Sequence, residues 1–518
     1  MLPPSNPAPS GAPSRAALPI GRRAFVKTAA AAAFGLAAGG SILGAAAAAP
    51  VTTSAPRRRY AIVGCGSRQQ IYLDAILGKY KAVAELVGVC DMNEGRAKRS
   101  QSLAAAAGVA VKAWFPSTPN PPVPDFDRLI PEFETMVRET RPDIVIVTTV
   151  DSSHDLYLVR AMELGCDTIT EKPMTTTAEK CRRILDAQKR TGKKVRVTFN
   201  YRYSPPRTQV KDLLMSGEIG EILSVDFQWQ LNTHHGADYF RRWHRNKKNS
   251  GGLMLHKATH HFDLVNWWLS AMPVSVVAMG KRDFYTPEMS RRLGLAGPHE
   301  RCLACPEAEK CGFHIDMRGT PGFRDFYLDH ERHDRYFRDR CLFDPGIDIE
   351  DTMNVIVSYD TGAALNYTLN AFNSWEGYTI AFNGTQGRLE HSITEQIYVN
   401  GADSDAAQGA IKAGGVKTRV IPLRDNAREI TPWEGAGSHG GGDTRLLDDI
   451  FLPHPAPDKY LHDSDARAGA ASILVGAAAN ISFDTGAAVR IADMVKGLER
   501  PAYPPMPSRA DPVPMPPR

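Results

Sequence analysis

The feature that most constrains this chain is a short β-prone run, Arg59-Tyr60-Ala61-Ile62-Val63, leading into Gly64-Cys65-Gly66-Ser67-Arg68-Gln69. A strand that feeds a glycine-rich turn and then a helix is a physical device for holding a pyrophosphate. The first glycine permits the tight turn, the second lets backbone approach the phosphates, and the helix N-terminus supplies aligned N–H groups. The third glycine of that pattern is replaced by Gln69. Context strengthens the reading. After a helical stretch, Ala84 to Cys90 forms a second strand signal that ends at Asp91. An acid there is placed to bond ribose hydroxyls and would repel a 2′-phosphate, so NAD is expected over NADP. Asp91 could equally cap the following helix.

A buried strand from Ile144 to Thr149 follows, and Asp151-Ser152-Ser153-His154 opens the next helix. The chain then runs through Gly165-Cys166-Asp167-Thr168-Ile169-Thr170 into Glu171-Lys172-Pro173. This alternation is that of an α/β fold with a doubly wound parallel sheet. Gly64, Gly66, Ser67, Arg68, Asp91, Thr149, His154, Glu171 and Lys172 are its expected cofactor-binding residues. A chain of 518 residues is too long for one core, so two domains with appendages are expected. The boundaries expected are a signal at 1–49, a linker at 50–57, a Rossmann domain at 58–177, a second domain at 178–500 and a Pro-rich tail at 501–518.

Gly21-Arg22-Arg23-Ala24-Phe25-Val26-Lys27 precedes a weakly apolar, Ala-rich run from Thr28 to Ala49. It resembles a twin-arginine export signal, with Ala47-Ala48-Ala49 offering a cleavage site. That predicts dealings with the twin-arginine export machinery and a periplasmic or secreted protein. A membrane anchor is the alternative, weakened by the small transfer energy of alanine and glycine. A formal net charge of +5 is too weak a field to steer nucleic acid, and no recognition motif accompanies it, so no nucleic-acid partner is expected.

At Glu171-Lys172-Pro173 the chain resembles the Gfo/Idh/MocA family of sugar and polyol oxidoreductases. The likeness runs from about Tyr60 to about Arg500. Asn200-Tyr201-Arg202-Tyr203, Gly251-Gly252 with His260 and Asp263 beyond, Gly384-Thr385-Gln386-Gly387 and the late Ala478-Ala479-Asn480 carry the rest of it. The resemblance implies a Rossmann domain followed by an α+β domain with an open, largely antiparallel sheet. That sheet would mediate homo-oligomer contacts, with a small-molecule carbohydrate between the domains. It also implies that Lys172 lies beside the nicotinamide and the substrate hydroxyl, and that Arg202 and Tyr203 border the cleft. A lysine at the carboxyl end of a parallel strand suits that task chemically.

Typical dehydrogenases of the family carry an aspartate and a histidine four residues apart on one helical face. Here His260 falls on the position of the histidine that takes the substrate hydroxyl proton, so the resemblance implies that it acts with Lys172 as the catalytic base, and His256 replaces the aspartate. A neutral imidazole cannot raise its partner's basicity as a carboxylate does. His256 is therefore a substrate donor or an acid of different strength, a metal ligand with His260, or a packing residue. Tyr239 and Trp243 lie in an aromatic, basic run suited to stacking on a sugar, or else on an amphipathic edge with solvated arginines.

Cys302, Cys305, Cys311 and Cys341 fall in an insertion over 283–345. Their spacing suits structural zinc, with His314 as a substitute ligand, in a segment lacking an apolar core of its own. A cubane iron–sulfur cluster and two disulfides are the alternatives. Loading in the reducing cytosol before export favours zinc. Cys65, Cys90, Cys166 and Cys181 read as small apolar fillers.

The primary expectation for activity is an exported oxidoreductase that moves hydride between a sugar or cyclic polyol and a tightly bound NAD. One alternative is a redox-neutral glycoside hydrolase or lyase, in which the same NAD oxidises the sugar and is later reoxidised. A non-catalytic sugar-binding protein is the third. Free NAD is scarce outside the cytoplasm, so a retained cofactor fits export best.

Overall fold

The computed structural model describes residues 56–117, 125–397, 414–435, 438–453, 457–513 and 515. The expected export signal at 1–49 and most of the linker lie outside the described residues.

β1 (Arg58–Val63), β2 (Ala84–Cys90), β3 (Lys112–Trp114), β4 (Ile144–Val147), β5 (Asp167–Thr170) and β6 (Val195–Val197) form one sheet in the order β3-β2-β1-β4-β5-β6. Every pairing is parallel. Covered on both faces, its central strands are continuous apolar runs, and all four residues of β4 are buried. The strand order reverses between β1 and β4. That opens a crevice above their carboxyl ends. Gly64 leaves β1 with φ +92°, and a Cβ there would lie 2.6 Å from the Thr148 carbonyl carbon, so only glycine fits.

The second sheet has nine strands in the order β14-β13-β12-β11-β7-β10-β9-β8-β15. They are β7 (Ile222–Asn232), β8 (Pro273–Lys281), β9 (Thr352–Tyr359), β10 (Ala364–Asn373), β11 (Trp375–Gly384), β12 (Gly387–Ile397), β13 (Val416–Pro422), β14 (Arg428–Ile430) and β15 (Val489–Arg490). All are antiparallel except the β7–β10 pair. β9 alternates strictly between buried and open positions, the signature of a sheet covered on one face. The covering layer includes Thr259–Leu269, buried throughout, and Ala466–Thr485.

Ala466–Thr485 is capped by Asp465, which accepts from two backbone N–H groups, and ends at left-handed Gly486. It is long and apolar enough to cross a membrane, yet 78% of that window is buried inside the fold. It is a core helix. Gly476 lets the chain pass close to the Leu253–His256 helix: a Cβ there would meet the Met254 carbonyl oxygen at 2.4 Å.

The insertion departs from two expectations. It has a small apolar cluster of its own, made by Met317, Phe323, Phe326 and Tyr327. Its order also rests on ion pairs, with Arg301 bound to both Glu331 and Asp339. Cys302, Cys305, Cys311 and Cys341 are half-buried free thiols. Among the described residues no group of three His, Cys, Asp or Glu side chains converges to hold a metal. The structure thus gives the zinc and iron–sulfur expectations no support, and it leaves the four thiols unbridged. Cys65, Cys90, Cys166 and Cys181 are buried free thiols, as small fillers should be.

Candidate active site

A cavity of about 1160 Å³ lies along the carboxyl ends of β1, β2 and β4 and continues under the second domain. Its first half is lined by Gly64, Gly66, Ser67, Arg68, Asp91, Thr149 and His154. Nothing lies within 4 Å of a Cβ built on Gly66, which leaves the turn open to a ligand's phosphates. Asp91 closes the turn from the end of β2, accepting from the Cys65 and Asn93 N–H groups at 2.5 and 2.6 Å. The donors, the open turn and the acid fit a dinucleotide. Gln69, at the missing glycine, is buried inward and accepts from Ser100 Oγ at 3.0 Å. The departure therefore serves packing against the Glu94–Ala106 helix.

Glu171 is fixed by Arg68 Nε at 2.7 Å and by Tyr72 Oη at 2.6 Å. His154 braces the following turn, with Nδ1 2.9 Å from the Pro173 carbonyl and Nε2 3.1 Å from that of Thr149. These contacts hold Lys172 at the join of the two halves. Its Nζ donates to the His256 carbonyl at 3.1 Å. Burial pushes the Lys172 ammonium down to about 8, against the pull of Asp151.

His256 enters from the second domain, and its Nδ1 lies 2.6 Å from Asp151 Oδ2. Burial raises the Asp151 carboxyl, while the Lys172 and Arg242 charges favour its ionised form. Burial, then the same two cations, push the His256 imidazole well below its usual range, so the ring is neutral near pH 7. A carboxylate at Nδ1 fixes the Nδ1–H tautomer and leaves Nε2 as an acceptor. The carboxylate missing from the helix motif is thus supplied by the other domain.

His260 lines the same cavity with its ring stacked on Tyr201 at 4.1 Å. Trp243 lines it too and stacks on buried His244 at 3.6 Å, and His244 meets His256 edge-on at 4.1 Å. Tyr239 Oη pairs with His235 Nε2 at 2.9 Å, and His235 Nδ1 with Glu376 at 2.9 Å. Lys257 lies 3.7 Å from Glu376 and donates to Tyr201 Oη at 3.2 Å.

Two expected substrate residues are corrected. Arg202 is 1% exposed and forms a two-pronged pair with Asp263 at 2.7 and 2.5 Å. Tyr203 donates to Asp449 at 2.7 Å and stacks on His462. Neither lines the cavity. The turn Asn200–Tyr203 sends successive side chains to different sides, and its cavity-facing members are Asn200 and Tyr201. Asp151, Lys257, His235 and Asn249 line the cavity without having been singled out for it. Only Asp151 carries a sequence signal, its place just beyond a parallel strand's carboxyl end. Tyr327, Asp334 and Tyr336 arrive from the insertion, with no local signal.

Comparison with known proteins agrees with this architecture. Residues 58–199 match the oxidoreductase family's NAD-binding Rossmann fold, and residues 211–491 match its C-terminal alpha/beta domain. YteT of Bacillus subtilis (strain 168), named as an oxidoreductase, is 35% identical over 426 residues, covering 80% of this chain and 94% of that protein. Inositol 2-dehydrogenase 2 of Saccharopolyspora erythraea is 27% identical over 238 residues, 46% of this chain and 58% of that one. The solved aldose-aldose oxidoreductase of Caulobacter crescentus shares the fold with a TM-score of 0.53 at 16% identity, over 84% of this chain and 100% of that chain. The strand order, the glycine turn closed by Asp91, and these matches to both halves together place the chain in the Gfo/Idh/MocA family of NAD-dependent oxidoreductases.

Proposed function

We propose that the enzyme acts on a secondary hydroxyl of a sugar, sugar derivative or cyclic polyol, and that it does so after export with NAD retained. The observation that carries this reading is the convergence of Lys172 with the Asp151–His256 pair in the cavity that the dinucleotide turn opens. When bound, the nicotinamide supplies the hydride acceptor. His256 Nε2 accepts the substrate hydroxyl proton, and Asp151 stabilises the imidazolium that results. The Lys172 ammonium donates a hydrogen bond to the same oxygen as its charge grows. Tyr239 and Trp243 offer aromatic faces for a sugar ring. The names of the inositol dehydrogenase and the aldose-aldose oxidoreductase support a polyol or sugar substrate.

Export rests on the paired Arg22 and Arg23 ahead of the Ala-rich run, and it places the mature enzyme in the periplasm or outside the cell. Cleavage near Ala49 is expected; mass spectrometry of exported protein that still begins at Met1 would remove this part. The half-open face of the nine-stranded sheet, with Val277, Met279 and Ile356 exposed, is the surface we assign to a homo-oligomer.

One observation favours a redox-neutral variant. Two imidazoles, His256 and His260, line the same cavity, as a reaction needing one base for a hydroxyl and another for the adjacent C–H requires. Aryl glycosides mixed with NAD-loaded enzyme, without added NAD, separate the two. Many equivalents of phenol mean redox-neutral cleavage; free sugars or polyols that reduce the bound cofactor, with no phenol released, mean a dehydrogenase.

A further inference from the structure

The insertion between β8 and β9 does not stay with the second domain. Its stretch from Phe326 to Tyr336 crosses to the Rossmann domain and lies on the first turns of the Glu94–Ala106 helix, beside Asp91. Several independent contacts fix it there. Arg96 forms an ion pair with Asp334, and the same guanidinium lies 3.8 Å from Asp91. Asn93 Nδ2 donates to the His330 carbonyl at 2.9 Å. His333 lies 3.5 Å from Glu94, and Arg99 sits over the Phe326 ring at 3.9 Å. Gly95 leaves room for the His330 ring: a Cβ there would be 2.2 Å from Nδ1. Tyr327 and Asp334 line the same cavity as Gly64 and Asp91.

We propose that this stretch is a clasp over the Asp91 end of the dinucleotide site, retaining NAD through turnover. The inference rests on the NAD-binding reading of that site. At this end Asp91 would meet the adenosine ribose, so a wall made by Tyr327 and Asp334 blocks the way out for that half of the ligand. The clasp is anchored at both ends. Phe323, Phe326 and Tyr327 belong to the insertion's own apolar cluster, while Arg96, Asn93 and Arg99 belong to the Rossmann domain. Its grip is mostly polar, which suits a part that must open to load cofactor once. Arg96 is claimed by two carboxylates, Asp91 and Asp334, and so is not free to bind a 2′-phosphate. The clasp thereby also sharpens the preference for NAD.

The test is the release rate of bound NADH, read by fluorescence during a chase with excess unlabelled NAD, on the full chain. Asp334→Asn and Phe326→Ala should each speed release tenfold or more. A double variant, Gly95→Cys with His330→Cys, joins two positions at which a Cβ on residue 95 would meet the His330 ring. Oxidised, it should release NADH more slowly than the parent, and reductant should restore the parent rate. Thermal unfolding of each variant separates a weakened clasp from a weakened fold, and the tethered variant reports on the clasp even if Asp334→Asn folds poorly. Release rates within twofold of the parent in all variants, tethered and untethered, overturn the clasp while leaving NAD binding intact. Failure of the unmodified protein, first stripped of bound nucleotide, to take up NADH in a titration overturns the NAD-binding reading, and the clasp with it.

Discussion

Asp151 and His256 are 105 residues apart in the chain and 2.6 Å apart in the fold. No local pattern joins them, which is why the helix motif alone left His256 without a carboxylate partner. Asp151→Asn keeps the shape and removes the charge that fixes the His256 tautomer. It should lower kcat about 10²- to 10⁴-fold with a small change in KM, and steady-state kinetics with a turned-over polyol check this. An unchanged kcat would take Asp151 out of the proton path. Lys172 sets a second expectation. Burial lowers its pKa to about 8, so the ammonium that holds the substrate oxygen is present below that value and lost above it. The limb of the kcat/KM profile that belongs to Lys172 should therefore fall as pH rises through about 8, and Lys172→Arg should remove that limb. Arg202 shows the limit of local reading. Its motif sits at the cleft, but its side chain turns inward to Asp263. Arg202→Ala strands a buried carboxylate, so it should cost about 3–5 kcal/mol of stability, seen as a lower thermal midpoint, with KM unchanged in the protein that remains folded.

At the scale of elements, what was legible was what is encoded locally. β1, the glycine turn, β2 ending at Asp91, and β4 are each written in a few adjacent residues, and all form as their patterns require. The Ala-rich stretch from Ala466 forms a helix whose small residues permit close approach. What it packs against was not readable, and that contact matters for the site. Gly476 touches the backbone of the short helix that presents His256, and Asn480 Nδ2 donates to the Gly251 carbonyl at 2.6 Å just before it. Gly476→Val should both destabilise the protein by about 1–3 kcal/mol and lower kcat by displacing His256. Loss of stability without loss of kcat would show that the helix only supports the core. The four insertion thiols are the opposite case. Their spacing is metal-like, yet the segment is ordered by an apolar cluster and by the Arg301 ion pairs.

For the whole molecule, the two domains meet so that neither holds a complete site. The first brings the dinucleotide turn, Asp151 and Lys172; the second brings His256, His260 and the aromatic wall; the insertion returns across the crevice to Asp91. An enzyme built this way can keep its cofactor where free NAD is scarce, which is what the export proposal requires. We propose a hydride transfer to NAD held in this cavity from a polyol or sugar whose hydroxyl is deprotonated by the Asp151-supported His256. It is tested most directly by mixing NAD-loaded enzyme, freed of unbound NAD, with a panel of cyclic polyols and aldoses while following the absorbance of reduced nicotinamide. At least one of them should reduce up to one equivalent of cofactor per site, and His256→Ala should slow this about 10²-fold or more. No reduction by any member of the panel, or an equal rate in His256→Ala, would contradict it.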